Sequence, residues 1–240
     1  MFNSPRVELP NAASMRPPSP PQGFEFDRHN DGWLAEPERR ALLWLGERLP
    51  RFWTPDRLTA LGFFGALLVF AGYLLAAHRP WMLWLANLGL VVNWFGDSLD
   101  GTVARLRRAE RPRFGFLLDQ SIDVLEQLLV ALGLGLSGYV RLDFAMLGLA
   151  VYFMMSILTL LRAAVSRRFP LAYGGIGLTE LRCIFLILNV VMYFVNPHAQ
   201  PIPFIPLTYP NLLALVWIIS TLVSYVVAMV GDLRTLAREE

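Results

Sequence analysis

Six long apolar blocks, separated by short polar connections, run along most of the chain. They are Leu58 to Ala77, Trp81 to Val103, Gly115 to Gly138, Leu142 to Val165, Gly177 to Val195 and Asn211 to Val230. Each is close to the ~20 residues that an α-helix needs to cross a hydrocarbon core. Glycines within the blocks suit close helix packing. The pattern predicts an all-α integral membrane protein with six transmembrane helices. Ahead of the blocks, Pro37 to Leu49 predicts a shorter helix, with Pro37 suited to its first turn. Leu42, Leu45 and Leu49 share one face, whereas Glu38, Arg39, Glu47 and Arg48 lie mostly elsewhere. With Trp44 and Trp53 nearby, this reads as an amphipathic helix lying on the membrane surface. Packing of the same face on a neighbouring helix is the alternative.

The chain thereby divides into a tail, 1–35, an interfacial amphipathic helix, 36–53, and a six-helix transmembrane domain, 54–240. The tail carries Pro5, Pro10, Pro17, Pro18, Pro20 and Pro21 with little apolar material, and reads as disordered. It lacks the basic-then-apolar order of a signal peptide.

Composition sharpens this picture. Of 240 residues, 55% are hydrophobic and only 17% are charged, and the mean hydropathy is +0.46. A soluble domain carries about 25% charged residues. A disordered, fibrous or disulfide-stapled chain is excluded, and a soluble enzyme is disfavoured. A net charge of +2 gives no reason to expect nucleic acid as a partner. The single cysteine, Cys183, can form neither an internal disulfide nor a cysteine-based metal site. All 21 basic residues are arginine, and their distribution sets an orientation. Arg105, Arg107, Arg108, Arg111 and Arg113 fill one connection. Arg167 and Arg168 fill another, just after Arg162. The alternate connections carry Arg79, Arg141 and none between Asn196 and Pro210. Basic connections face the cytoplasm, which places both termini there. The Pro-rich stretch with His198 is then an external loop.

Charged residues inside apolar blocks are costly and point to function. Here they cluster. Asp97 and Asp100 end the second block, and Asp119 and Asp123 lie early in the third. At spacings of three and four, each pair falls on one helical face. The short connection makes the two helices antiparallel neighbours, so four carboxylates can face one another near the cytoplasmic boundary. Such a group needs cations to stay ionised. Oxygen-only ligands favour Mg²⁺ or Mn²⁺ over zinc. A hard metal site of this kind suits a diphosphate substrate. Gly101 leaves room beside Asp100, and Arg105, one turn on, is placed to pair with phosphate.

The stretch Asp97-x-x-Asp100-Gly101-x-x-Ala104-Arg105, nine residues, Gly115-x-x-x-Asp119-x-x-x-Asp123 resembles the signature of the CDP-alcohol phosphotransferase (CDP-alcohol phosphatidyltransferase) family. Thr54-Pro55-Asp56-Arg57-Leu58-Thr59 resembles the family's approach to the first span, with Asp56 where Asn is common. The resemblance implies a multi-pass inner-membrane enzyme of phospholipid biosynthesis, its active site facing the cytoplasm. It implies transfer of a phosphoryl-alcohol group from a CDP-linked alcohol to an acceptor alcohol, with release of CMP. By position, Asp97, Asp100, Asp119 and Asp123 bind metal and Asp123 is the catalytic base. Gly101, Ala104 and Arg105 shape the nucleotide pocket, and Gly115 allows close packing there. A homodimer is implied as well.

The alcohols are less defined. Val124 follows the last aspartate, where Lys or Arg accompanies a phosphorylated acceptor in many relatives. Arg162 and Arg182 are candidate acceptor-binding residues, set against a role as ordinary positive-inside arginines. Glu126, seven residues after Asp119 on nearly the same face, is a third, set against a hydrogen bond between helices. Asn93, Thr179 and Glu180 either line the pocket or serve as caps and interhelical bonds. The preferred donor is CDP-diacylglycerol with a small polar alcohol as acceptor. CDP-ethanolamine or CDP-choline with diacylglycerol is the alternative. An intramembrane prenyltransferase and a cation transporter are readings of other classes.

Overall fold

The computed structural model describes residues 27–29, 32–166, 168–170, 172–173, 176–195, 201 and 207–239. Seven α-helices dominate: α1 (Ala35–Arg48), α2 (Pro55–Ala76), α3 (Leu83–Leu106), α4 (Pro112–Leu136), α5 (Leu142–Ser166), α6 (Leu178–Phe194) and α7 (Tyr209–Glu239). Helices α2 to α7 follow the six apolar blocks closely. Local chemistry sets several ends. Thr54 caps α2 by accepting from the Arg57 N–H, with Pro55 in the first turn. Pro112 opens α4, and Gly138, at φ +80°, closes the turn after it.

Helices α2 and α3 form the most intimate pair, and their backbones nearly touch. A Cβ on Gly65 would fall 2.7 Å from the Asn93 Cα, and one on Gly96 would fall 2.5 Å from the Leu58 carbonyl oxygen. Only glycine allows this approach, so the pair locks the height of Asn93 and Asp97 against α2. Helix α4 packs on α2 and α5, α5 on α7, and α6 on α3. One core gathers Val69, Tyr73, Leu83, Ala86, Leu90, Leu134 and Met192. Within it, the Tyr73 hydroxyl donates to Asn189 at 2.9 Å, and Asn189 donates to Asn87 at 2.8 Å. These bonds tie α2, α6 and α3 and satisfy the buried polar groups.

A second core joins Leu42 of α1 to Leu58, Leu99 and Val103, with Leu45, Leu49, Trp53 and Trp94 at its edge. The apolar face of α1 is thus seated on α2 and α3, while Trp33, Trp44 and Phe52 stay exposed. Arg107, just past α3, donates to the Leu49, Pro50 and Trp53 carbonyls at 3.0, 3.1 and 2.5 Å. One guanidinium therefore secures the α1–α2 connection.

Two short ladders accompany the helices. Asp27–His29 (β1) pairs parallel with Arg168–Pro170 (β2), and Ala172–Tyr173 (β3) pairs antiparallel with Ile176–Gly177 (β4). Composition cannot reveal such short ladders, because partners as remote as 27 and 168 carry no shared local pattern. The same pairing ties down the end of the expected tail, whose residues 1–26 lie outside those described. By length and composition, three helical stretches among the described residues are both long and apolar enough to cross a membrane: Pro55–Ala76, Leu142–Val165 and Tyr209–Arg238. Helices α3 and α4 carry the carboxylates, and α6, with 17 residues, is about 26 Å long. His198 and Arg167 fall outside the described residues.

Candidate active site

Three of the four aspartates come together. Asp97 on α3 and Asp119 and Asp123 on α4 each place a carboxylate oxygen within 4.8 Å of the others. The three are half-buried. Hard oxygen donors at this spacing fit a divalent cation. Asp100 is turned elsewhere. Its Oδ2 accepts from the Thr59 hydroxyl at 2.5 Å, and its Oδ1 accepts from the Gly101 N–H at 2.5 Å. Thr59 is the residue of the α2 lead-in that reaches the motif. Its sequence signals are its place in the Thr54–Thr59 run and a hydroxyl one turn into α2.

Two of the three candidate acceptor residues join the cluster. Arg182 Nη2 donates to Asp97 Oδ2 at 2.5 Å, and Arg182 Nε donates to Asn93 Oδ1 at 3.0 Å. Asn93 Nδ2 donates in turn to Glu126 Oε2 at 2.7 Å and to the Gly62 carbonyl at 3.1 Å. A chain of hydrogen bonds thus runs Glu126–Asn93–Arg182–Asp97 across α4, α3 and α6. Arg182 offsets part of the like-charge repulsion among the carboxylates. The third candidate, Arg162, is instead taken up by Asp232 of α7 and donates to the Ala228 carbonyl at 3.1 Å. A link between α5 and α7 is its visible role.

The expected nucleotide residues sit at the α3 end. A Cβ on Gly101 would meet the Arg105 guanidinium at 3.5 Å, so the glycine leaves bare backbone beside an exposed cation. Gly115 lies in the first turn of α4. A Cβ there would meet no described atom within 4 Å, so the residue is not needed for packing inside the chain. Of the polar residues with two readings, Asn93 belongs to the site, whereas Thr179 and Glu180 act as interhelical and capping groups. Thr179 donates to Glu38 at 2.6 Å, and Glu180 accepts from the Gly177 and Leu34 N–H groups at 2.9 and 2.6 Å.

Beyond the cluster lies a cavity of about 540 Å³ between helices α2 to α7. Asn93, Asp123, Glu126 and Arg182 bound part of its wall. Val130, Phe144, Phe185 and Trp217 are among its many apolar lining residues. Tyr152 of α5 also lines it. The carboxylates therefore meet a space fit for hydrocarbon.

The sequence profile of the CDP-alcohol phosphatidyltransferase family matches residues 52–223. The chain belongs to this family. It is also similar to the archaetidylinositol phosphate synthase of Pyrococcus horikoshii, with 36% identity over 103 residues. That alignment covers 43% of this chain, and the chain spans 52% of the length of that relative. The family match begins after α1, so that helix lies outside it.

Proposed function

We propose that the protein transfers a phosphoryl-alcohol group from a CDP-linked alcohol to an acceptor hydroxyl and releases CMP, in phospholipid synthesis. Family membership and the acidic cluster support this over a prenyltransferase or a cation transporter. The observation that carries a lipid substrate is the apolar cavity walled in part by Asp123, Glu126 and Arg182. A hydrocarbon chain can lie there with its reacting end beside the carboxylates.

Asp97, Asp119 and Asp123 would hold Mg²⁺ or Mn²⁺, with Asp100 as a fourth ligand once released from Thr59. A bound divalent cation supplies charge neutralisation at the diphosphate. Asp123 takes the proton of the acceptor hydroxyl. The acceptor oxygen then bonds to the phosphorus that bears the alcohol, and the bond to CMP breaks. Arg105, beside bare Gly101 backbone, holds nucleotide phosphate. Glu126 and Arg182 face the acceptor.

The donor is CDP-diacylglycerol and the acceptor a small polar alcohol. Val124 after Asp123 supports an uncharged acceptor. So does the engagement of Arg162 and Arg182 by Asp232 and Asp97. The name of the Pyrococcus horikoshii relative supports a second reading, in which an inositol phosphate is the acceptor. CDP-ethanolamine or CDP-choline with diacylglycerol is the third.

Helices α2 to α7 are read as six spans with both termini and the active site on the cytoplasmic side. Exposed apolar residues support this even on the more polar helices: Leu88 and Val91 on α3, Leu117 and Leu125 on α4, and Ile187 and Phe194 on α6. Exposed Trp33, Trp44 and Phe52 support a position of the α1 region at the membrane surface. A homodimer completes the reading and is tested by light scattering in detergent. The deciding experiment measures CMP release by purified protein in lipid with Mg²⁺ or Mn²⁺. CDP-diacylglycerol is offered with free and phosphorylated alcohols, and CDP-ethanolamine and CDP-choline with diacylglycerol. Acceptor-dependent release, lost in Asp123→Asn, is expected. Silence across all pairs in the presence of metal overturns the proposal.

A further inference from the structure

Glu38 lies on α1, outside the region that matches the family. Its Oε1 accepts from three donors on two other helices: Trp94 Nε1 at 2.8 Å, Thr179 Oγ1 at 2.6 Å and Ser98 Oγ at a longer 3.3 Å. These donors flank the site. Trp94 and Ser98 stand three residues before and one residue after Asp97 on α3, and Thr179 stands three residues before Arg182 on α6. The two flanked residues are the pair that meets across the site, Arg182 with Asp97. One carboxylate oxygen therefore fixes α3 against α6 beside their functional contact.

Two further ties act at the same place. The Leu34 N–H, at the start of α1, donates to Glu180 at 2.6 Å. The same carboxylate accepts from Gly177, the residue that precedes α6. Buried Leu42, midway along α1, anchors the helix in the core with Leu99 and Val103. Helix α1 is thus held on both α3 and α6.

We propose that Glu38 is a positioning residue. Through Trp94, Ser98 and Thr179 it sets the register of α6 on α3, and so places Arg182 on Asp97 and toward the acceptor. Hydrogen bonds from neutral donors to a carboxylate suit this role, because they are strong and directional. The inference rests on the proposed transfer for its kinetic readout, and on the carboxylate cluster for its binding readout.

The test is a double-mutant cycle in full-length protein. Glu38→Ala is expected to lower kcat/KM about tenfold, a size in the usual range for coupled neighbours. Glu38→Gln keeps an acceptor oxygen and is expected to stay within about twofold of wild type. In an Arg182→Ala background, Glu38→Ala is expected to cost less than about twofold. Thr179→Val removes the α6 donor alone and should reproduce most of the Glu38→Ala loss without disturbing the α1 core. Additive losses in the cycle, or a Thr179→Val variant with wild-type kinetics, overturn the proposal. Wild-type CMP release is measured first. Its absence counts against the proposed reaction, and Mn²⁺ binding followed by electron paramagnetic resonance then decides for Glu38. Weaker Mn²⁺ binding in Glu38→Ala, restored in Glu38→Gln, supports the positioning role, whereas equal binding in all three overturns it.

Discussion

Arg182 on α6 and Asp97 on α3, 85 residues apart in sequence, meet through a 2.5 Å hydrogen bond beside the acidic cluster. Both side chains are largely withdrawn from solvent, at 13% and 19% exposure. A buried pair of this kind is costly to break from one side, because the remaining charge loses its partner. Here the unpaired charge would join two further carboxylates. Arg182→Gln should therefore lower the melting temperature of metal-free protein by several degrees. Mg²⁺ or Mn²⁺ should recover part of that loss, since a cation relieves the same repulsion. Melting curves with and without metal check this, and equal losses in both conditions would count against it.

Asp123 is the one aspartate shared by the cluster and the cavity wall. Asp123→Asn keeps size and hydrogen bonding but cannot take a proton. CMP release should fall about 100-fold or more, with the melting temperature unchanged within a few degrees. Asp97→Asn and Asp119→Asn should also raise the metal concentration needed for half-maximal rate. A metal titration of the three variants separates the roles.

Chelation offers a direct check on the oxygen-only donor set. EDTA should abolish CMP release, and Mg²⁺ or Mn²⁺ should restore it. Activity that survives exhaustive chelation would remove the metal from the proposal.

Gly96 and Gly115 should respond differently. A methyl group at Gly96 collides with the α2 backbone, so Gly96→Ala should cost about 1–3 kcal/mol of stability. Gly115→Ala meets no described atom and should leave the melting temperature unchanged. Any fall in its activity would then come from crowding of bound nucleotide. Thermal melts and CDP binding on the two variants make the comparison.

Glu126 and Arg162 divide the candidates for acceptor recognition. Glu126→Gln should change the ranking of acceptors, because Glu126 lines the cavity and accepts from Asn93. Arg162→Ala should shift the acceptor KM by less than about threefold, since its guanidinium serves the α5–α7 link. Kinetics with a panel of alcohols test both, and identical rankings in wild type and Glu126→Gln would rule out its role.

Much of this protein was legible along the chain. The apolar block from Leu142 to Val165 matches α5, Leu142–Ser166, almost to the residue. Proline and threonine mark the start of α2 at Thr54 and Pro55. These features are local, set by the hydrophobic length of a block and the capping chemistry at its end. The signature that runs from Asp97 and Asp100 to Asp119 and Asp123 is local too, and it carried the family resemblance and the expectation of a metal.

Other features depend on how the helices meet. Backbone approach at Gly65 and Gly96 fixes α3 on α2, and that placement decides which side chains can reach one another. It turns Asp100 to Thr59, brings Arg182 rather than Arg162 to the cluster, and lets Glu38 reach both α3 and α6. A periodic pattern states which face of a helix is apolar, but not which residue 40 or 140 positions away will stand opposite. A hydrogen bond forms only when both partners arrive within about 3 Å, and that distance is set by packing.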